Sequence, residues 1–395
     1  MKPNVLIFRA DLLPPSETFI AAQAHALRRY SATFAGLRRA QAGLELDPEQ
    51  CVTLTRTNTP ADKLRRRFFL RTGIAPQFLR KTVRCRPALV HAHFAIDAAI
   101  ALPLQKHLGV PLIVTLHGYD ATSIPDALRR TAPGRTFLRR REDLFARAGL
   151  FLCVSEHIRA QAIAHGFPSA KLRTLPIGID LNLFAPDPLR SPQRDPIILF
   201  VGRLVEKKGC AHLLRAMALI EQRHPTARLL ILGDGPLLEP LRLQARASLQ
   251  RCTFLGPQPP AIVRDLMHRA TVLAAPSIVA ADGDTEGLPI VLCEAQAIGL
   301  PIVAFRGPGV DEAVRDQKTA LLAPPADHHD LADCLSAILT DSALAARLAA
   351  AGRRRAEQYF SLATQTALLE DLYDEVQHAR VPVPECPVLE YPVLQ

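Results

Sequence analysis

Ile198-Leu199-Phe200-Val201-Gly202-Arg203-Leu204-Val205-Glu206-Lys207-Lys208-Gly209 reads as a short buried strand that opens into a loop carrying fixed cations. Gly202 lets backbone approach a ligand closely. Arg203 and Lys208 then lie where a diphosphate leaving group needs neutralising, just beyond a strand's carboxyl end. Lys207 reads as ordinary surface charge.

The same alternation runs the length of the chain. Short β-branched or apolar runs are separated by longer amphipathic stretches, the pattern of parallel sheets with helical crossovers. Residues 5–8, 51–55, 89–91, 112–116, 150–154 and 172–175 are strand candidates in the first half, and 197–201, 228–232, 253–255, 271–274, 302–304 and 320–322 in the second. Asp187 to Pro196 is polar and proline-rich, hence a linker. The expected fold class is α/β, with two Rossmann-like doubly wound domains, residues 1–185 and 186–352. A final helix over 353–377 packs back across the first domain, and a proline-bearing tail, disordered by composition, follows over 378–395.

Thr285-Glu286-Gly287-Leu288-Pro289-Ile290-Val291-Leu292-Cys293-Glu294 supplies the acidic residues. Pro289 suits the first turn of a helix, which leaves Glu286 and Gly287 in the loop ahead and puts Glu294 about two turns in. The stretch around Glu294 is apolar enough to be buried, so its carboxylate must meet something polar. Open N–H groups at the helix start form an anion site. One segment thus offers donors for phosphate and two acceptors for hydroxyls, a set that suits a sugar nucleotide.

Other candidates sit at strand ends. Gly233-Asp234-Gly235-Pro236 is a glycine turn expected to wall the same cleft. His117-Gly118-Tyr119-Asp120 places a histidine where it can bond a sugar hydroxyl or relay a proton, unless it merely caps its own loop. His91 and His93 share a face of their strand and are read as cleft-lining polar residues, with no third group nearby to make a metal site. Asp282-Gly283-Asp284 looks like a metal-holding pair, but Arg203, Lys208 and a helix start make a metal redundant, so it is read as a turn. Ser16 is the expected N-cap of the first helix.

Composition sets the bounds. In 395 residues, 48% are hydrophobic and 22% charged, which are globular values. No run of 18 apolar residues occurs, and the N-terminus reads as a first strand rather than a signal peptide. Eight scattered cysteines without paired spacing argue for reduced thiols and a cytoplasmic protein. Residues 1–185 carry a net charge of +14 and residues 186–395 one of −4. The densest run, Lys63 to Arg86, holds nine basic residues and no acidic one, interleaved with Phe68, Phe69, Leu70, Phe78 and Leu79. That mixture favours peripheral contact with an anionic membrane surface; nucleic acid is not expected, since no binding motif accompanies the charge.

With these pieces in order the chain resembles the retaining glycosyltransferases of family 4, of GT-B fold, and especially those of exopolysaccharide assembly such as the colanic-acid type. The resemblance rests on Ser16-Glu17-Thr18-Phe19, Gly202-Arg203-Leu204 with Lys208-Gly209, Gly233 to Pro236, Pro176 to Asp180, and Asp284 to Ala295. It implies two domains facing across a cleft and a nucleotide-sugar donor, UDP- or GDP-linked. The implied acceptor is a glycan or a lipid-diphosphate-linked saccharide, with no metal or other cofactor. Glu294 would bind the donor ribose and Glu286 a sugar hydroxyl. Arg203 and Lys208 would hold the diphosphate, with the backbone of Gly287, Leu288, Pro289 and Ile290 completing the cradle. His117 would orient the transferred sugar, so His117 and Glu286 are the expected catalytic pair. The glycine-rich loop that many members carry after the first strand is replaced here by Arg9 to Pro15. A nucleotide-sugar epimerase, a glycoside phosphorylase and a non-catalytic nucleotide-sugar binder remain as alternatives on the same residues.

Overall fold

The computed structural model describes residues 2–40, 43–187 and 196–378; most of the expected linker and all of the tail beyond 378 lie outside them. Seven strands form the first sheet: β1 (Asn4–Phe8), β2 (Ser31–Gly36), β3 (Cys51–Thr53), β4 (Pro87–His93), β5 (Leu112–Leu116), β6 (Leu150–Cys153) and β7 (Leu172–Thr174). Six form the second: β8 (Ile197–Val201), β9 (Arg228–Leu232), β10 (Cys252–Gly256), β11 (Val272–Ala275), β12 (Ile302–Phe305) and β13 (Leu321–Ala323). Their orders are β3-β2-β1-β4-β5-β6-β7 and β10-β9-β8-β11-β12-β13, with every pairing parallel.

Both orders reverse at their first strand. The crevice of a doubly wound sheet therefore opens at the carboxyl ends of β1 and β4 in one domain and of β8 and β11 in the other. Side chains on both faces of the central strands, among them Leu6, Phe8, Val90, Leu199 and Ile231, are buried. Each contributes on the order of 1.5–3 kcal/mol, which fixes the strand ends rigidly enough to carry a site.

Two expectations fail here. Ser31-Ala32-Thr33-Phe34-Ala35-Gly36 has one large apolar residue and no clear alternation, yet it is the strand between β1 and β3. The final helix is also not continuous. It is two helices, Ser342–Tyr359 and Leu362–His378, broken where Ile179 exchanges backbone hydrogen bonds with Phe360 and Leu362. A Cβ at Gly178 would lie 2.6 Å from Leu362 Cα, so only glycine lets the two interdomain segments cross that closely.

Beyond the break, the last helix lies on the first domain. Glu370 accepts the backbone N–H groups of Arg28, Arg29 and Tyr30, and Tyr373 is fully buried. A second tie joins the domains directly. Glu312 accepts the N–H groups of Glu156 and His157 at 2.7 Å each, a carboxylate from one domain at a helix start in the other.

Candidate active site between the two domains

In the second domain the loop after β8 is clamped by the loop after β9. Gly202 donates its N–H to Leu232 and Leu204 to Asp234. A Cβ at Gly233, whose φ is +131°, would fall 1.9 Å from the Gly202 carbonyl oxygen, and one at Gly235 would fall 2.4 Å from that of Leu204. These two glycines therefore set the position of the Arg203 loop through their own close packing. Gly202 is different: a Cβ there would meet only the Lys208 stem at 3.6 Å and the Phe200 ring at 3.7 Å. Its bareness leaves room that the protein's own packing does not need.

Arg203 is exposed and makes no ion pair among the described residues. Lys208 is engaged. Its Nζ lies 2.6 Å from Glu286 Oε1, and the Ser277 hydroxyl donates to the same oxygen at 2.8 Å. Burial alone would push the Glu286 carboxyl up, but Lys208 and Lys207 outweigh it and hold it below its usual value. Lys207 is no loose surface charge either, since it pairs with Asp284 at 2.9 Å. Asp282 accepts the N–H of Asp284 at 3.0 Å across a left-handed Gly283, so this stretch is a turn.

Pro289 caps the helix Ile290–Ile298 as its sequence requires. Glu294 sits in its second turn, half-buried, and its carboxylate has no partner among the described residues. Burial pushes its carboxyl up to about 8. Between its ordinary value of 4.5 and about 8, the folded chain keeps a proton that the unfolded chain has lost, so stability declines as pH rises through that window. Glu294→Gln removes the titration. Its stability at pH 9 is expected to exceed that of the unmodified protein by on the order of 1 kcal/mol, with near parity at pH 4, checked by denaturant unfolding at both values.

In the first domain, β5 delivers His117 to the same place. Asp120 shapes this loop. Its carboxylate accepts the N–H groups of His117 and Gly118 at 3.1 Å and of Ala95 at 2.7 Å, so the loop is capped by Asp120 and not by the histidine ring. His117 Nε2 faces His93 Nδ1 at 3.0 Å. Its ring packs 4.6 Å from that of Phe94 and 5.1 Å from that of Phe19. The other ring nitrogen, Nδ1, is buried with no partner among the described residues. Burial, with Arg9 nearby, holds His117 well below its usual value, so it is neutral at pH 7.

His91 does not line the cleft as expected. It is fully buried under the last helix, bonded to Tyr373 Oη and Thr115 Oγ1 at 2.7 Å each. His93 lies beside it as a support for His117. The reason is the two-residue period of β4: the face they share is the one that the returning helix covers. Ser16 is not the N-cap either. It is exposed within a short 3-10 turn, Pro15–Glu17, and Glu17 precedes the helix Thr18–His25.

Glu17 turns inward instead, joining Arg9 and Asp97. Arg9 stands where the glycine-rich loop is missing. It bonds Glu17 at 2.6 Å, pairs with Asp97 and lies 4.3 Å over the Phe94 ring. Phe94 holds φ +71°, a strained conformation for a bulky residue of the kind found where a side chain must be aimed. Arg9, Phe94, Asp97, Asp120 and Ser277 escaped sequence reading. Only Asp120, three residues after His117, left a signal, as a loop-capping aspartate.

The two halves meet at Gly287. A Cβ there would fall 2.0 Å from the His117 carbonyl oxygen and 3.2 Å from Val154 Cγ2. The loop ahead of the Glu294 helix thus presses directly on the His117 loop, with Arg203, Lys208 and Glu286 on one side and the His117–Phe94–Arg9 group on the other.

Residues 16–183 match the model of "Glycosyltransferase Family 4" and residues 184–355 that of "Glycosyl transferases group 1". A GDP-mannose-dependent α-(1-6)-phosphatidylinositol monomannoside mannosyltransferase of Mycolicibacterium smegmatis is 33% identical over 303 residues, covering 73% of this chain and 77% of that protein. The chain is a family 4 glycosyltransferase. The glycosyltransferase is also 32% identical over 251 residues to the colanic acid biosynthesis protein WcaL of Escherichia coli K12, a match spanning 62% of this chain and 60% of that relative. Its fold is that of GT-B enzymes. HepE of Anabaena, solved with UDP and glucose, superposes with a TM-score of 0.72 at 20% identity, over 94% of this glycosyltransferase and 99% of HepE.

Proposed function

We propose that this glycosyltransferase moves a hexose, with retention of anomeric configuration, from a nucleoside diphosphate sugar to a glycan or lipid-linked saccharide of a cell-surface polysaccharide. The observation that carries the reading is the set of unspent polar groups on His117, Arg203, Lys208, Glu286 and Glu294, from both domains. Among the described residues, Arg203 has no ion partner, the Glu294 carboxylate has no partner, and His117 keeps one bare ring nitrogen. Lys208 uses one of its three protons on Glu286, and both polar contacts of Glu286 fall on Oε1, which leaves its second oxygen for a sugar hydroxyl.

In this reading Arg203 and Lys208 hold the diphosphate, with the backbone of Gly287 to Ile290 closing the cradle. Glu294 takes the ribose hydroxyls, Glu286 a hydroxyl of the sugar, and neutral His117 another. No carboxylate is assigned as nucleophile. The bond from anomeric carbon to phosphate oxygen breaks, the acceptor oxygen bonds from the same face, and its proton passes to the departing phosphate. Fixed cations and N–H groups stabilise the charge on that phosphate, so no metal is required. The UDP bound in HepE and the GDP-mannose dependence of the mycobacterial relative support a donor of one of these two kinds. WcaL, named for colanic acid, supports the polysaccharide context.

The test is release of nucleoside diphosphate from UDP- and GDP-sugars in EDTA. Release that depends on a saccharide acceptor supports transfer. Conversion without an acceptor would indicate an epimerase, and dependence on inorganic phosphate a phosphorylase.

The basic run supplies a surface for the cytoplasmic face of a membrane. Leu64, Phe68 and Ile74 are 68%, 52% and 56% exposed on and just after the helix Pro60–Thr72, among exposed Arg65, Arg67 and Arg71, while Phe69 and Phe78 pack inward. Charge plus shallow apolar insertion gives affinity for anionic lipid. The enzyme is expected to sediment with phosphatidylglycerol vesicles and not with phosphatidylcholine ones, and Leu64→Ser/Phe68→Ser to lose most of that binding. Equal sedimentation with both lipids would count against it.

A further inference from the structure

One face of the helix Pro60–Thr72 borders a surface concavity. Lys63, Arg66, Arg67 and Leu70 follow the i, i+3, i+4, i+7 rule of one helical face, and all four line a cavity of about 400 Å³. Arg9, Arg38, Asp11, Asp97, Ile100 and Pro133 line it as well.

The charges there are unbalanced. Arg38 is satisfied by Asp11, through two bonds of 2.6 and 2.8 Å, and Arg9 by Glu17 and Asp97. Arg66 has only neutral partners, Thr55, the Thr57 carbonyl and Asn58. Lys63 and Arg67 make no ion pair among the described residues. Among the described residues, Lys63, Arg66 and Arg67 thus border one concavity with no carboxylate partner of their own, and their summed positive potential attracts an anion there. Guanidinium forks suit phosphate oxygens in particular.

The Arg9 wall of the cavity is linked to His117 through two packed contacts. The Arg9 guanidinium lies 4.3 Å from the Phe94 ring, and that ring lies 4.6 Å from the ring of His117. We infer that this pocket receives a phosphate or diphosphate group of the acceptor, held by Lys63, Arg66 and Arg67, and so presents the attached sugar to His117. The word acceptor rests on the transfer reading above; the anion site does not.

Calorimetric titration of inorganic pyrophosphate into the full chain, in EDTA with UDP already saturating, separates the two. Binding is expected, weakening with salt, and Lys63→Ala/Arg67→Ala is expected to weaken it more than about tenfold. Both side chains are exposed, so the variant should fold normally. Arg80→Ala/Arg84→Ala removes the same charge from exposed positions that do not line the cavity, and should change binding less than about twofold. Geranyl diphosphate is the second probe: tighter binding than pyrophosphate assigns a lipid-linked source, equal binding a soluble one. Absence of pyrophosphate binding, or equal loss in both double variants, overturns the inference. The preceding UDP titration reports on the donor site independently, so failure of that reading would be seen separately.

Discussion

Arg203→Ala is expected to lower turnover about 10²–10³-fold, the usual cost of removing one preorganised donor from a developing anion, without moving the unfolding midpoint. Its side chain is exposed and paired with no carboxylate among the described residues, so its loss strands none of them. Lys208→Ala should lower turnover to a similar degree but carries a second cost. It strands Glu286, which is 6% exposed and held ionised chiefly by Lys208. Breaking a buried pair from one side costs about 3–5 kcal/mol. Lys208→Ala/Glu286→Gln should recover much of that stability while remaining inactive. Steady-state kinetics beside denaturant unfolding separates the two effects; near-normal turnover by both single variants would remove the diphosphate role from this loop.

Gly287→Ala should be as damaging by a different route. The added methyl would lie 2.0 Å from a backbone oxygen of His117, and backbone cannot swing aside as a flexible side chain can. The His117 loop is held from behind by Asp120, so the domains must separate instead. A displacement of about 1 Å between reacting groups is enough to cost on the order of 10² in rate. Nucleotide affinity should fall less than turnover, because Arg203 and Glu294 remain in place although the Gly287 backbone that closes the cradle shifts. A variant with unaltered turnover, measured beside UDP affinity, would show that this contact is not needed for reaction.

How far the sequence could be read depended on how local each feature is. The strand and loop from Ile197 to Gly209 and the helix start between Thr285 and Glu294 were legible because their local structure is set within a dozen consecutive residues, punctuated by Gly and Pro. What Lys208 does was not, since its partner Glu286 is 78 residues away. The first domain hid more. Arg9 meets Asp97 across 88 residues, and nothing in the letters announces that Phe94 adopts a positive φ. Ser31–Gly36 pairs as a strand through backbone alone, and the break at Phe360–Ser361 follows from a crossing with Ile179 that helical periodicity cannot foresee.

The central proposal is metal-free transfer with retention at the junction of the two domains, where the Gly287 loop meets the His117 loop. Proton NMR of the sugar product, formed in EDTA from an α-linked nucleoside diphosphate hexose and a saccharide acceptor, tests it most directly. The account predicts an α-linked product and nucleotide release in equal amount. A β-linked product, or turnover abolished by EDTA and restored by a divalent metal, would contradict it.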